Sequence, residues 1–410
     1  MTAGTSQQRR HRRRMPRVLA AIGTCAIGLA AAAPPAVAAQ PAPEQWYLDP
    51  MQAEAMWKVS TGKGVKVAVI GFGVSASTPS LQGQVLPGKD ITKNGAGTET
   101  DDRDGQGTTT AELIAGTGNG GGIRGLAPGS KIVPYRVPVR SLKEPAPLRD
   151  PVHAAIKAAA DSDAKIINIS LVSDHVLGSS VMEEDVYQYA AKKGKLVIAG
   201  VGDNAKTGNK AQYPAARGSV VGVAAMGPDG KVADFSHRGK DVNLTAPGVK
   251  VPRWCDATFK KYCEGQGTVA AAALASAAAA LVWSQHPDWT GAQVLRVLYD
   301  TADRSWGMKQ DNPNFGFGVI RPRAVVLEGK GNPGKADSNA DAVFVWPVFR
   351  YEPVDTASPS PAQTKPALAT SSQVADTGNS TNTPFLVGGI AAALALAAGA
   401  AVVIRRRRTP

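Results

Sequence analysis

The chain has 410 residues, a formal net charge of +13 and 43% hydrophobic residues, enough for one large folded unit with appendages. Most of the charge sits at the two ends, on Arg9, Arg10, Arg12, Arg13, Arg14 and Arg17 and again on Arg405 to Arg408, so the body between them is only slightly basic. A basic excess confined to the ends, not gathered on a folded face, excludes nucleic acid as the partner.

Residues 1–39 join a basic start to an apolar run, Val18 to Ala33, and a small-residue site, Ala36-Val37-Ala38. This reads as a secretory signal peptide cut near Ala38 or Ala39. Cys25 follows Gly23 and Thr24, a poor lipoprotein box, and the arginine pairs lack the context of a twin-arginine signal. Residues 40–64 form a short extension bearing Trp46, Tyr47, Met51 and Trp57.

From Val65, short β-branched runs alternate with helical stretches. The predicted strands are Val65–Ile70, Lys131–Val137, Lys165–Val172, Leu196–Gly200, Val220–Ala224 and Val242–Thr245. The predicted helices are Thr108–Ala115, Asp150–Asp161, Met182–Lys193, Val269–Ser284 and Gly291–Tyr299. This alternation implies an α/β fold, a mostly parallel sheet between helical layers, with its ligands at the C-terminal ends of the strands. The cluster Gly118, Gly120, Gly121 and Gly122 lacks a following Gly-Lys-Ser/Thr and reads as a loop, not a phosphate cradle. Asp101, Asp102 and Asp104 offer carboxylates to a calcium ion, the simpler reading being a solvated loop; no other cofactor or metal is expected.

Once the leader is removed, Cys255 and Cys263 are an even pair in an exported chain, and a disulfide follows. So short a loop is worth roughly 2–3 kcal/mol. The folded domain is expected over residues 65–335 and a linker over 336–384, rich in Pro, Ser and Thr from 353. Within it Val343 to Phe349 reads as a strand or tail packing back on the domain. Phe385 to Ile404 is an uninterrupted apolar run long enough for a hydrocarbon core of about 30 Å. The arginines after it place residues 405–410 in the cytoplasm and the domain outside. Val374-Ala375-Asp376-Thr377-Gly378, ahead of that run, resembles a sortase cell-wall sorting signal with valine in place of leucine. Both a retained membrane anchor and a sortase-linked wall protein fit the tail.

Four segments carry a family resemblance. Val65 to Val74 resembles the first strand and Asp-Thr/Ser-Gly turn of subtilisin-like serine proteases, with Gly71 where the aspartate belongs. Gly105-Gln106-Gly107-Thr108 resembles Gly-His-Gly-Thr, with Gln106 for histidine. Gly202-Asp203-Asn204 resembles Ala-Gly-Asn, with Asp203 for asparagine. Gly267-Thr268-Val269-Ala270-Ala271-Ala272-Ala273 resembles Gly-Thr-Ser-x-Ala-x-Pro, with Val269 for serine and Ala273 for proline. Arg124-Gly125-Leu126-Ala127-Pro128-Gly129, Ile167 to Leu171 and Thr245-Ala246-Pro247-Gly248 resemble further landmarks, so the likeness spans residues 45–330.

The resemblance implies a three-layer subtilisin-like fold and sharpens what is missing. A serine hydroxyl attacks a carbonyl only if an imidazole takes its proton and a carboxylate orients that imidazole. Loss of the nucleophile or base costs about 10⁶ in kcat, and loss of an oxyanion donor roughly 10²–10³. Asn204 is offset by one residue from the donor position. Ser276 lies about 10 Å down the same helix from Val269. His153, His175, His237 and His286 fall in no catalytic frame, and His237 sits where the family has a Phe-Ser-Asn-x-Gly turn. The layout of signal, short extension, protease-like domain, linker and single C-terminal helix resembles mycosins, the membrane-anchored subtilases of type VII secretion.

The expected function is therefore that of an inactive surface pseudoprotease. It would hold an extended peptide or secreted protein along Ile169-Ser170-Leu171 and Gly200-Val201-Gly202, or scaffold a membrane secretion assembly. An active serine endopeptidase with an unrecognised site, and a structural surface domain without a ligand, are the alternatives.

Overall fold

The computed structural model describes residues 41–91, 98–138, 151–174, 185–305 and 312–336. A short helix α1 (Ala53–Trp57) precedes β1 (Lys66–Gly71), β2 (Lys89–Asp90), α2 (Gln106–Ala115) and β3 (Lys131–Arg136). Then come α3 (Pro151–Ala160), β4 (Ile166–Ile169), α4 (Val186–Lys192), β5 (Leu196–Gly200), β6 (Val221–Met226) and β7 (Leu244–Pro247). A hairpin of β8 (Val249–Trp254) and β9 (Tyr262–Gln266) leads into α5 (Thr268–Gln285), followed by α6 (Gly291–Asp300) and α7 (Pro322–Val326).

The main sheet runs β2-β3-β1-β4-β5-β6-β7, and every pairing in it is parallel. Parallel sheets persist where helices cover both faces, and the strands show it: β1 is buried from Val67 to Gly71, and β4, β5 and β6 are buried throughout. Alternate residues of β1 serve opposite cores. Val67 and Val69 join α2, α5, α6 and the N-terminal extension, whereas Ala68 and Ile70 join α3 and α4. The three layers match the expected fold class.

Helix α5 crosses the middle of the larger core. Its run of alanines lets it pack closely on the strands, and it is buried on nearly all sides from Ala271 to Trp283. Among the described residues it alone is long and apolar enough to cross a membrane, but it lies inside the fold as a core helix. Gly200 permits its approach: a Cβ there would fall 2.6 Å from the backbone of Thr268.

The six expected strands and five expected helices all form, with shifted ends. Helix α2 begins two residues early, at Gln106, because Asp102 and Asp104 cap its first amides. Strand β7 starts at Leu244, two residues late, and runs to Pro247. The expected start of α4 at Met182 lies outside the described residues; within them Asp185 caps the helix, accepting from Tyr187 N and Gln188 N. The leader, the stretch Val343 to Phe349, the linker from residue 337 on, the sortase-like motif, the C-terminal apolar run and His175 also lie outside them.

The extension before β1 is part of the core. Tyr47, Met51 and Met56 are buried. Gln45 brackets the backbone of Arg124, donating to its oxygen at 2.8 Å and accepting from its nitrogen at 2.8 Å. Trp57 donates to Leu126 O at 2.8 Å and lies under the Arg124 guanidinium, 3.7 Å from its ring centre. The glycine-rich turn at Asn119–Gly121 receives this segment, since Ala42 N donates to Gly121 O.

Candidate functional site

The sheet and two helices bring three of the four singled-out positions to one place. Gln106 opens α2, Val269 lies in the first turn of α5, and Asp203 follows β5. All three line a cleft of about 430 Å³. Its far wall is the β8–β9 hairpin, which contributes Val251, Arg253, Trp254, Glu264, Gly265 and Gln266. Gly71 ends β1 beside this cleft without lining it. A Cβ built there would meet Ser170 Cβ at 3.6 Å, an ordinary contact.

Two of these three residues are tied to the backbone around them. Gln106 donates its side-chain amide to Ser170 O at 2.6 Å. Asp203 accepts the amide of Thr268 at 2.9 Å, so a carboxylate caps the N-terminus of α5, whose own N-cap residue Gly267 provides no side chain. That placement suits the positive end of a helix. Desolvation nonetheless raises the Asp203 carboxyl above its ordinary range, the Thr268 hydrogen bonds only partly opposing it, although the residue keeps an exposed edge on the cleft. Val269 is apolar and half-buried. Asn204 is turned away, its amide donating to Lys210 O at 2.9 Å.

The glycines of the motif frames remain because the backbone needs them. A Cβ on Gly107 would stand 1.9 Å from Gly73 O, so α2 seats against the turn after β1 only with glycine there.

The six expected peptide-wall residues sit at the C-terminal ends of β4 and β5, but their side chains are buried and none lines the cleft. Several of their backbone groups are in use. Ser170 N donates to Ile70 O, Val201 N to Val223 O and Gly202 N to Thr268 Oγ1, while Gly202 O accepts from His237. Ser276, one of the two serines of α5, is buried and accepts from Asn168 Nδ2 at 2.9 Å. His153 is buried on α3. His237 is buried 3.7 Å from Asp241, and His286 stacks on Trp289 past the end of α5. None of them lines the cleft.

The three loop acids go to separate tasks. Asp102 is buried, accepting from Thr108 N, Thr108 Oγ1 and Gly105 N, and burial raises its pKa against those bonds. Asp101 pairs with Arg103 and Arg136, and Asp104 caps Gln106. Among the described residues no three His, Cys, Asp or Glu side chains converge as a metal site. Cys255 and Cys263 form the expected disulfide, Cα to Cα 5.1 Å, across the hairpin tip.

Sequence reasoning missed what holds the hairpin. Glu112, on α2, is fully buried and accepts from Thr78 Oγ1 at 2.7 Å and from the Tyr262 hydroxyl at 2.9 Å. Tyr262 stacks on Trp254, ring centres 3.7 Å apart, and Trp254 N donates to Thr109 Oγ1 at 3.0 Å. The available signal was an acid inside the buried run Ala111-Glu112-Leu113-Ile114-Ala115.

A doubly covered parallel sheet with its cleft between the N-termini of two helices is the subtilisin-like architecture. Residues 62–318 match the subtilase family, more than half of the chain, and the chain belongs to that family. The minor extracellular protease Epr of Bacillus subtilis (strain 168) is 30% identical over 288 residues, 70% of this chain and 42% of Epr. The chain thus spans less than half the length of that relative. Thermitase of Thermoactinomyces vulgaris is 31% identical over 261 residues, 63% of this chain and 88% of thermitase. Among solved structures, the serine protease MycP1, described as an essential component of the type VII (ESX-1) secretion system, is similar with TM-score 0.56. It is 28% identical, the match covering 72% of this chain and 90% of MycP1.

Proposed function

We propose that this chain is a catalytically inactive subtilase, a pseudoprotease of the mycosin type whose cleft binds an extended peptide or a secreted protein. The observation that carries this reading is the content of the cleft. Where a hydrolase needs a base, a nucleophile and an oxyanion donor, the cleft presents an amide tied to Ser170, an isopropyl group and a carboxylate. The Asp203 carboxylate already occupies an amide at the α5 N-terminus, and a second anion forming beside it would be repelled. Gly71 leaves no carboxylate at the end of β1 to orient a base.

The fold is kept around these substitutions, and the cleft between α2, α5 and the β8–β9 hairpin supports holding a chain without cutting it. The resemblance to MycP1 supports a place at a membrane secretion assembly, and the sequence of the two ends supports export with the domain outside. The tail would then be either a retained anchor or a sortase-processed one.

The test is hydrolysis of a broad peptide library by purified chain from Gln40 to Pro353, with thermitase treated alike, followed by capture of uncut library members. Cleavage that copurifies with the chain through further purification would overturn the pseudoprotease reading in favour of an active endopeptidase. No cleavage with retention of a defined peptide class supports it, and neither cleavage nor retention points to a purely structural surface domain.

A further inference from the structure

Six side chains or backbone segments of the cleft wall belong to one hairpin, and that hairpin is fixed to α2 along a single helical face. Thr109 holds Trp254 through the backbone, and one turn later Glu112 holds Tyr262 through its hydroxyl. The opposite oxygen of Glu112 is held by Thr78, so the carboxyl joins the loop after β1, helix α2 and strand β9. A hydrophobic residue at position 112 would keep the helix buried; a carboxyl there, held by two hydroxyl donors, gives the contact two protonation states.

Among the described residues, no cationic side chain bonds to Glu112. Of its partners among those residues only Tyr262 is ionisable, and α5, packed along α2, contains no ionisable residue. Arg253 and Glu264 of the hairpin are exposed on the cleft side, and Asp102 is engaged at the start of α2. A carboxylate buried without a cation carries a desolvation penalty that its neutral form avoids.

We propose that Glu112 is a protonation-dependent latch for the β8–β9 hairpin: neutral, it keeps the hairpin docked and the cleft wall formed; ionised, it loosens the wall. The latch itself is a property of the hairpin. Only its consequence, ligand binding that weakens as pH rises, rests on the reading of the cleft as a binding site. Burial pushes the Glu112 carboxyl up to about 7, against the hydrogen bonds that oppose it. The sign follows: an acid whose pKa is higher docked than free stabilises docking below its free value and loses that contribution as pH rises through the docked value.

The test is amide hydrogen exchange of Val249 to Gln266 in the full chain between pH 5 and 8, corrected for intrinsic exchange. Without any ligand, hairpin opening in the unmodified protein is expected to rise at least about tenfold over that range. Glu112→Gln, which keeps the acceptor and removes the charge, is expected to flatten the profile. Tyr262→Phe, which removes a donor to the ionised form, is expected to raise the midpoint pH. A flat profile in the unmodified protein, or an unchanged slope in Glu112→Gln, overturns the latch. Because exchange is read with no peptide present, failure of peptide capture at every pH would defeat the binding reading alone.

Discussion

Gln106 donates its side-chain amide to the backbone oxygen of Ser170 over 2.6 Å, tying the first turn of α2 to the end of β4. The bond closes the space between the two elements at the point where Gly71 ends β1, since Ser170 also stands over Gly71. Ser170 is buried, so its carbonyl depends on this donor. Gln106→Ala should leave that oxygen unpaired and lower stability by about 1–3 kcal/mol, measured by urea unfolding at unchanged m-value. A loss below about 0.5 kcal/mol would mean that water takes the place of the amide.

Asp203 acts on α5 as a cap from another element. Asp203→Ala should cost about 1 kcal/mol, because the Thr268 amide loses its partner at a helix start that has no capping side chain of its own. Asp203→Asn keeps an acceptor oxygen and should change stability by less than about 0.5 kcal/mol. If both variants fall equally, the charge and not the hydrogen bond is what α5 requires there.

The sheet and the helices were legible in the sequence because their periods are plain. Strand β5 has the expected residues, Leu196–Gly200, and α6 is expected to within one residue. The hairpin was not legible. Val249-Lys250-Val251-Pro252-Arg253-Trp254 mixes charge with a proline, which argues against a sheet interior, yet β8 pairs on one side only and tolerates Pro252. Glu112 escaped for a related reason. In a helical pattern an acid counts as a solvent-facing position, and only the tertiary placement of Tyr262 and Thr78 turns it inward. The motif frames identified Gln106, Asp203 and Val269 as neighbours in space, but not that Asp203 would cap α5. Nor did they show that the expected peptide-wall residues would have their side chains buried.

The N-terminal extension should matter to the whole domain and to the cleft. Gln45 satisfies both backbone groups of Arg124, and Trp46 donates to Val249 O at the base of the hairpin, 3.0 Å away. Gln45→Ala should cost about 1–2 kcal/mol. Trp46→Phe removes the donor with most of the apolar body kept, and should raise hydrogen exchange in β8 more than in β5. Equal exchange in both strands would separate the extension from the hairpin.

Restoring chemistry is the most demanding prediction. Triad groups act as a unit, so Val269→Ser, Gln106→His or Gly71→Asp alone should yield no peptide hydrolysis above the unmodified chain. The combination with Asp203→Asn should behave differently. A Cβ fits at Gly71, Gln106 and Val269 share the cleft, and Asp203→Asn exchanges the carboxylate for a group able to donate. The fourfold variant is expected to hydrolyse an activated peptide ester at least about 10³-fold faster than the unmodified chain, with no single variant above background. Circular dichroism and thermal unfolding establish that the variant is folded. A folded fourfold variant that stays inert would show that the elements carrying these positions have moved apart as well as lost their side chains, and the cleft would then be a binding surface whose geometry no longer fits hydrolysis.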